Sequence, residues 1–462
     1  MEKRDKKNYE IDMCNGPILK KLLIFAVPLM CSSILQLLFN AADIVVVGRF
    51  AGDNSLAAVG SNTALINLLT NLFVGLSIGA NVLAAKEYGG KKEQELSKTV
   101  HTAMLLSIFS GIILTIIGVV GARRILILMQ TPKDVIDLAT IYLRIFFLGM
   151  TATMIYNFGS SILRSIGDTK RPLYYLLGAG VINVVLNLFF VIVLKMDVAG
   201  VAMATVISQG TSAFLIMRCL IKERGPLKLV INKLHIDKGK FVEILKIGLP
   251  AGFQGIIFAL SNVVIQSSVN SFGGVVVAGN SAAANIEGFV YVSMNAFYQG
   301  AISFTSQNMG SGNYKRVDKV LITCQICVIT VGIVFGNLVL YFGHPLLRMY
   351  TSSPSVVNAG MVRLGIVAKT YALCGIMDVM VGSLRGMGFS IMPMIVSLIG
   401  ACGLRLLWLA TVFQIKEFHT INIIYESYPI TWIITIIVHI ICFIWVRRNR
   451  ENFNISKSIS NA

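Results

Sequence analysis

Long apolar runs alternate with short polar breaks along the whole 462-residue chain. About twelve of these runs are long enough to cross roughly 30 Å of hydrocarbon as helices. Their centres lie near positions 35, 70, 110, 150, 183, 208, 257, 293, 330, 372, 402 and 437, and the run near 293 is the most polar. The pattern also repeats. "ILKKLLIFAVP", ending at Pro28, returns as "FVEILKIGLP", ending at Pro250. "GANVLAAKEYGGKK" from Gly79 returns as "GAISFTSQNMGSGN" from Gly300, and "LRSIGDTKRP" at 163–172 returns as "LRGMGFSIMP" at 384–393. Three landmarks in one order, about 221 residues apart, mark a duplication.

Six spans per half is an even number, so both halves insert in the same orientation. The expected fold is an all-α membrane protein. Its twelve transmembrane helices form two six-helix bundles related by a pseudo-two-fold axis along the membrane normal, with a cleft between them. The expected divisions are a polar leader at 1–17, a first bundle at 18–220 and a basic linker at 221–243. A second bundle follows at 244–446, then a polar, disordered tail at 447–462. Part of the linker is expected to be an amphipathic helix on the cytoplasmic surface. Pro28 and Pro250 recur at matched positions inside helical runs, and Arg164 and Arg385 recur in the matched Leu-Arg turns. These four are candidate hinge or structural residues.

Composition narrows the class. Hydrophobic residues make up 55% of the chain and charged residues 13%. Soluble domains carry about 25% charged residues. The first run has a basic approach (Lys3, Arg4, Lys6, Lys7) but no small-residue cleavage site, so it reads as a retained helix. The net charge of +18 follows topology. With a cytoplasmic N-terminus and twelve spans, most Lys and Arg fall on the cytoplasmic side, which places both termini inside and removes the need for a nucleic-acid partner. Cys324 and Cys327 have the spacing of half a metal site but no second pair, so no metal is expected. No P-loop, zinc-protease motif or nucleophile elbow is present, and no cofactor or enzymatic activity is expected. His101, His344 and His419 fall near span ends, as solvent-facing histidines do.

Polar residues inside the spans are the candidate chemistry, because a charge at mid-membrane costs roughly 2.5–3.5 kcal/mol on insertion scales. Asp43, Glu287 and Asp378 are the candidate cation-coupling carboxylates. Gln36, Asn40 and Asp43 share one helical face, and Glu287, Tyr291, Asn295 and Gln299 form a four-residue stripe. Asn183 with Asn187, and Gln254 with Asn262 and Gln266, make further amide faces. Gln36, Asn40, Asn183, Asn187, Gln254, Asn262, Gln266, Tyr291 and Asn295 are therefore the candidate substrate-cavity residues. Amides suit varied ligands or a dehydrated cation, and equally serve as interhelical glue.

Several of these motifs carry a resemblance. The first span's Pro28, Asn40, Asp43, Val47 and Gly48, the "LRSIGDTKRP" and "SLRGMG" turns, and "GLRLLW" at 403–408 resemble the multidrug and toxic compound extrusion (MATE) family, in its prokaryotic DinF-like branch. The resemblance covers roughly residues 15–450. It implies V-shaped lobes in a bacterial plasma membrane and export of organic cations or amphipathic compounds in exchange for H+ or Na+. It maps the family's first-span acid onto Asp43. Where similar members carry Asn-x-x-x-Asp in the fifth span, this chain has Asn183-x-x-x-Asn187, so the simple two-carboxylate site is absent and Glu287 and Asp378 gain weight. A monomer in contact with lipid and with small-molecule substrates is expected. The alternative within the superfamily is a lipid-linked oligosaccharide flippase, for which Arg144, Arg363 and Lys369 would supply positive charge. A non-transporting membrane receptor is the alternative of another class.

Overall fold

A computed structural model of the chain describes residues 9–460; the leader's first eight residues and the last two of the tail lie outside the described residues. Among the described residues the regular structure is entirely helical. The first half contains α1 (Ile18–Phe50), α2 (Asp53–Gly89), α3 (Glu93–Leu128), α4 (Ile136–Leu148), α5 (Met150–Ser165), α6 (Lys170–Leu188) and α7 (Asp197–Lys222). The second contains α8 (Lys238–Asn270), α9 (Gly274–Gly310), α10 (Tyr314–Tyr341), α11 (Gly343–Arg348), α12 (Pro354–Arg363), α13 (Lys369–Gly386), α14 (Ile391–Ser397), α15 (Leu404–Ala410) and α16 (Ile421–Ser460). Eleven described helices are long and apolar enough to cross a membrane, and α4 with α5, bent by 46° at Gly149, makes a twelfth. This matches the twelve-span expectation.

Three spans are interrupted by π-helical turns, at Phe189–Val193, Leu364–Ala368 and Leu398–Gly403. A π turn holds one more residue than an α turn, so it rotates every side chain that follows it. Pro28 lies inside α1 and Pro250 inside α8. The Ser32 hydroxyl donates to the Pro28 carbonyl at 2.9 Å.

Contacts divide the chain into two compact units. One comprises the residues up to Ile256 with Ser306–Arg316; the other comprises Ile257–Thr305 and the residues from Val317 on. In the first unit, Leu114, Phe147, Met150 and Phe158 form part of a fully enclosed core. α2 and α8 meet there backbone to backbone. Gly75 and Gly79 face Gly248 and Gly252, and a Cβ on Gly75 would stand 2.3 Å from the Gly252 nitrogen. Four-residue spacing of glycine on both helices is what permits so close a crossing.

The linker differs from expectation. It forms two short 3-10 turns, Gly225–Leu227 and Ile231–Lys233, and no amphipathic helix. Its backbone is held by side chains of α3. The Val230 N–H donates to His101 Nε2 at 3.1 Å, and the Asp237 N–H donates to the Thr102 hydroxyl at 3.0 Å. Leu227 and Leu229 are buried in the core. A segment anchored by its own peptide groups cannot also close a helical ladder. His101 is consequently buried, at 3% exposure, rather than solvent-facing. Its Nδ1 lies 2.7 Å from the Ser97 carbonyl, so Nδ1 carries the proton and Nε2 accepts. Asp237 accepts from the Lys240 N–H at 3.0 Å and caps α8. That hydrogen bond holds the Asp237 carboxyl below the usual range.

The described part of the leader is held against the first unit by hydrogen bonds. The Ile11 N–H donates to the Ile166 carbonyl at 3.0 Å, beside Gly167, whose φ of +90° is open to glycine. Met13 is fully buried, and its carbonyl accepts from Asn308 Nδ2 and Arg316 Nε, each at 3.1 Å. Arg316 also reaches the Asn15 and Gly16 carbonyls at 3.0 and 2.7 Å. At the other end of the chain, α16 continues to Ser460 in place of the expected disordered tail. Arg447 and Asp318 form a two-pronged ion pair at 2.7 and 2.8 Å between α16 and α10.

Candidate functional site

Two polar clusters sit among the apolar spans, one in each unit. The first is built on α1, α6 and α7. Asp43 is buried among Val46, Val47 and neighbouring helices, at 8% exposure. The Asn187 amide donates to Asp43 Oδ1 and, at 3.2 Å, to Asn183 Oδ1. The Thr205 hydroxyl lies 3.5 Å from Asp43 Oδ2 and takes the Asn183 amide at 3.4 Å. Asn183 and Asn187 are four apart on α6, so both reach the same neighbour. Asp43 has no basic partner among the described residues, and Asn187 Oδ1 is buried without a hydrogen-bond partner. A buried carboxylate with amide and hydroxyl oxygens around it can take a proton, or offer oxygens to a small hard cation.

The second cluster spans α8, α9, α12 and α16. Glu287 is buried at 1% exposure and accepts from Arg363, with Nη2 to Oε2 at 2.7 Å and Nε to both oxygens at 3.1 and 3.2 Å. Arg363 also donates to Asn280 Oδ1 at 2.7 Å. That oxygen accepts from the Tyr425 hydroxyl at 3.1 Å, and the Asn280 amide donates to Gln266 at 2.9 Å. The pair is charge-balanced and nearly saturated with hydrogen bonds, as a buried ion pair must be. Glu287 is therefore not a lone carboxylate. Tyr291, one turn on, places its hydroxyl beside Asp378 on α13.

The remaining candidates are spread out. Gln36 and Asn40 lie on the exposed side of α1, and Asn262 is exposed on α8. Gln254 is buried and Asn295 is half-buried. Arg164 donates to the Ser161 hydroxyl at 2.6 Å, and Arg385 donates to the Tyr298 hydroxyl. Arg144 and Lys369 are exposed. Thr205, Asn280 and Tyr425 escaped the sequence reading. Isolated hydroxyls and amides are common in spans, and only the partner across the bundle distinguishes these.

The profile of the MatE family matches residues 28–189 and 250–409, one segment in each half of the duplication. The chain belongs to the MATE family. It is 28% identical over 430 residues to a probable multidrug resistance protein of Bacillus subtilis, YoeA, covering 91% of this chain and 92% of that one. A second B. subtilis protein of the same description, YpnP, is 30% identical over 397 residues, covering 85% and 88%. The probable multidrug resistance protein NorM of Thermotoga maritima is 25% identical over 396 residues, covering 84% of each chain. Among solved structures, an outward-facing multidrug resistance MATE transporter of the MOP superfamily superposes with TM-score 0.88 at 20% identity, covering 96% of this chain and 98% of that one. A Pyrococcus furiosus MOP-superfamily transporter, described as having a binding pocket of reversed polarity, also superposes with TM-score 0.88 at 20% identity, covering 97% and 98%. This MATE protein is thus a multi-pass membrane transporter with the twelve-helix fold of that family, and the family is one of transporters rather than enzymes.

Proposed function

We propose that this MATE protein is a secondary active antiporter of the bacterial plasma membrane. It exports organic cations or amphipathic compounds by alternating access, as a monomer with both termini in the cytoplasm. The exchanged ion is H+ or Na+, and Asp43 carries it. The observation that supports this most is the setting of Asp43: a buried carboxylate with no basic partner among the described residues, ringed by Asn183, Asn187 and Thr205. Either ion would fit, a proton on the carboxylate or sodium between Asp43 and the unpartnered Asn187 oxygen. Asp378 beside Tyr291 is the candidate second carrier. Glu287, neutralised by Arg363, serves instead to position α9 against α12.

For a neutral or zwitterionic substrate, one net charge falling through 100 mV yields about 2.3 kcal/mol, enough for roughly a fifty-fold gradient. One-for-one exchange of a monovalent cation is instead electroneutral and draws only on the ion's concentration gradient. The flippase reading needs a positive cavity for a pyrophosphate. With Arg363 paired and Arg144 and Lys369 exposed, little supports it. Ethidium flux in proteoliposomes, under proton and sodium gradients imposed separately, tests the proposal. Wild type should respond to one gradient, and Asp43→Asn should abolish that response. Gradient-independent flux, or full coupling in Asp43→Asn, would sink it.

A further inference from the structure

Arg405, on α15, stands out among the buried charges of the second unit. It is 3% exposed, and no carboxylate pairs with it among the described residues, whereas Arg363 has Glu287. Its guanidinium carbon lies over the Tyr428 ring, 3.9 Å from the centroid, with the Trp432 centroid at 5.9 Å. One Nη2 proton goes to the Thr431 hydroxyl at 3.1 Å, and Nε is buried with no hydrogen-bond partner. An aromatic ring against a guanidinium carbon engages none of its N–H donors, so the donors stay available to fork to an oxyanion. A buried cation with an unused donor is costly unless something fills it. Tyr371, itself half-buried, packs edge-on against Trp432 at 5.7 Å.

The duplication gives Arg405 a place. Pro172 and Pro393 correspond, and the π turn over Leu398–Gly403 inserts one extra residue after them. Arg405 then falls opposite Asn183, a member of the Asp43 cluster, while buried Ile265 falls opposite Asp43 itself. The second half keeps the framework of that cluster, removes its carboxylate and adds a cation.

We infer that Arg405, with Thr431, Tyr428 and Trp432, is an anion subsite. It takes the carboxylate of an aromatic substrate, the fork on Arg405 holding the charge and the rings holding the scaffold. The inference rests on the efflux reading for the substrate class, but its test does not depend on transport. Norfloxacin, an aromatic zwitterion, and its methyl ester are titrated into the purified full-length protein, followed by ligand fluorescence polarisation. Wild type should bind the acid on the order of tenfold more tightly than the ester. Arg405→Gln should erase that ratio, and Arg405→Lys should restore only part of it, because an ammonium cannot fork. No acid preference in wild type, or an unchanged ratio in Arg405→Gln, overturns the subsite. Should Arg405→Gln not fold, a full wild-type ratio in Arg405→Lys overturns it as well. A wild type that prefers the acid yet moves no substrate in proteoliposomes refutes the efflux reading and leaves the subsite standing. Flux of ethidium without an acid preference does the reverse.

Discussion

The side-chain amide of Asn187, on α6, donates to the carboxylate of Asp43, on α1, from 144 residues away in sequence. Where the family resemblance implies a second acid, this chain places a donor. Asn187→Ala should leave the buried carboxylate short of a hydrogen bond, a cost of about 1–3 kcal/mol. The expected result is a lower Tm in detergent and weaker gradient-driven flux. An unchanged Tm and unchanged flux would show that the hydrogen bond contributes nothing.

Glu287 and Arg363 offer a sharper separation of coupling from structure. Removing one partner of a buried pair costs about 3–5 kcal/mol, because the other charge is left unpaired. Glu287→Gln alone should therefore destabilise strongly. The double change Glu287→Gln with Arg363→Gln should recover much of that loss, together with ethidium flux. If Glu287 were the ion carrier, the double variant would regain stability but stay uncoupled.

The crossing of α2 and α8 tolerates no side chain at Gly75 or Gly252, where an added Cβ would stand 2.3 and 2.4 Å from the opposing backbone. Gly75→Val should force the helices apart and cost about 3 kcal/mol, the upper end for overpacking. Thermal unfolding measures it. Gly178→Val, at a position where an added Cβ meets nothing within 4 Å, is the control and should behave as wild type.

Arg316 holds the leader by the carbonyls of Met13, Asn15 and Gly16. Arg316→Ala removes charge-assisted donors from three acceptors at once. The segment at 11–16 should then become cleavable by protease at concentrations that spare wild type. Mass spectrometry of the fragments reads the outcome, and equal resistance in both proteins would count against the tether.

Much of this architecture could be read from periodicity and repetition alone. A span of hydrocarbon demands internal hydrogen bonding, so a twenty-residue apolar run has essentially one fold open to it. Duplicated prolines and Leu-Arg turns then set the six-plus-six plan, and Asp43 is conspicuous because a charge in such a run needs a reason. The four-residue glycine spacing of Gly75 and Gly79, and of Gly248 and Gly252, was equally open to reading. Pairing was not. Glu287 and Asp43 are alike as letters in apolar runs, yet one meets Arg363 from 76 residues away and the other meets only amides and a hydroxyl. The linker's basic and apolar letters fit an amphipathic helix, until the side chains of His101 and Thr102 claim its peptide groups. Hydropathy is a local property of a segment, and it determined the spans. The chemistry of each buried charge is a property of its partner, and only the packing of helices distant in sequence decided that.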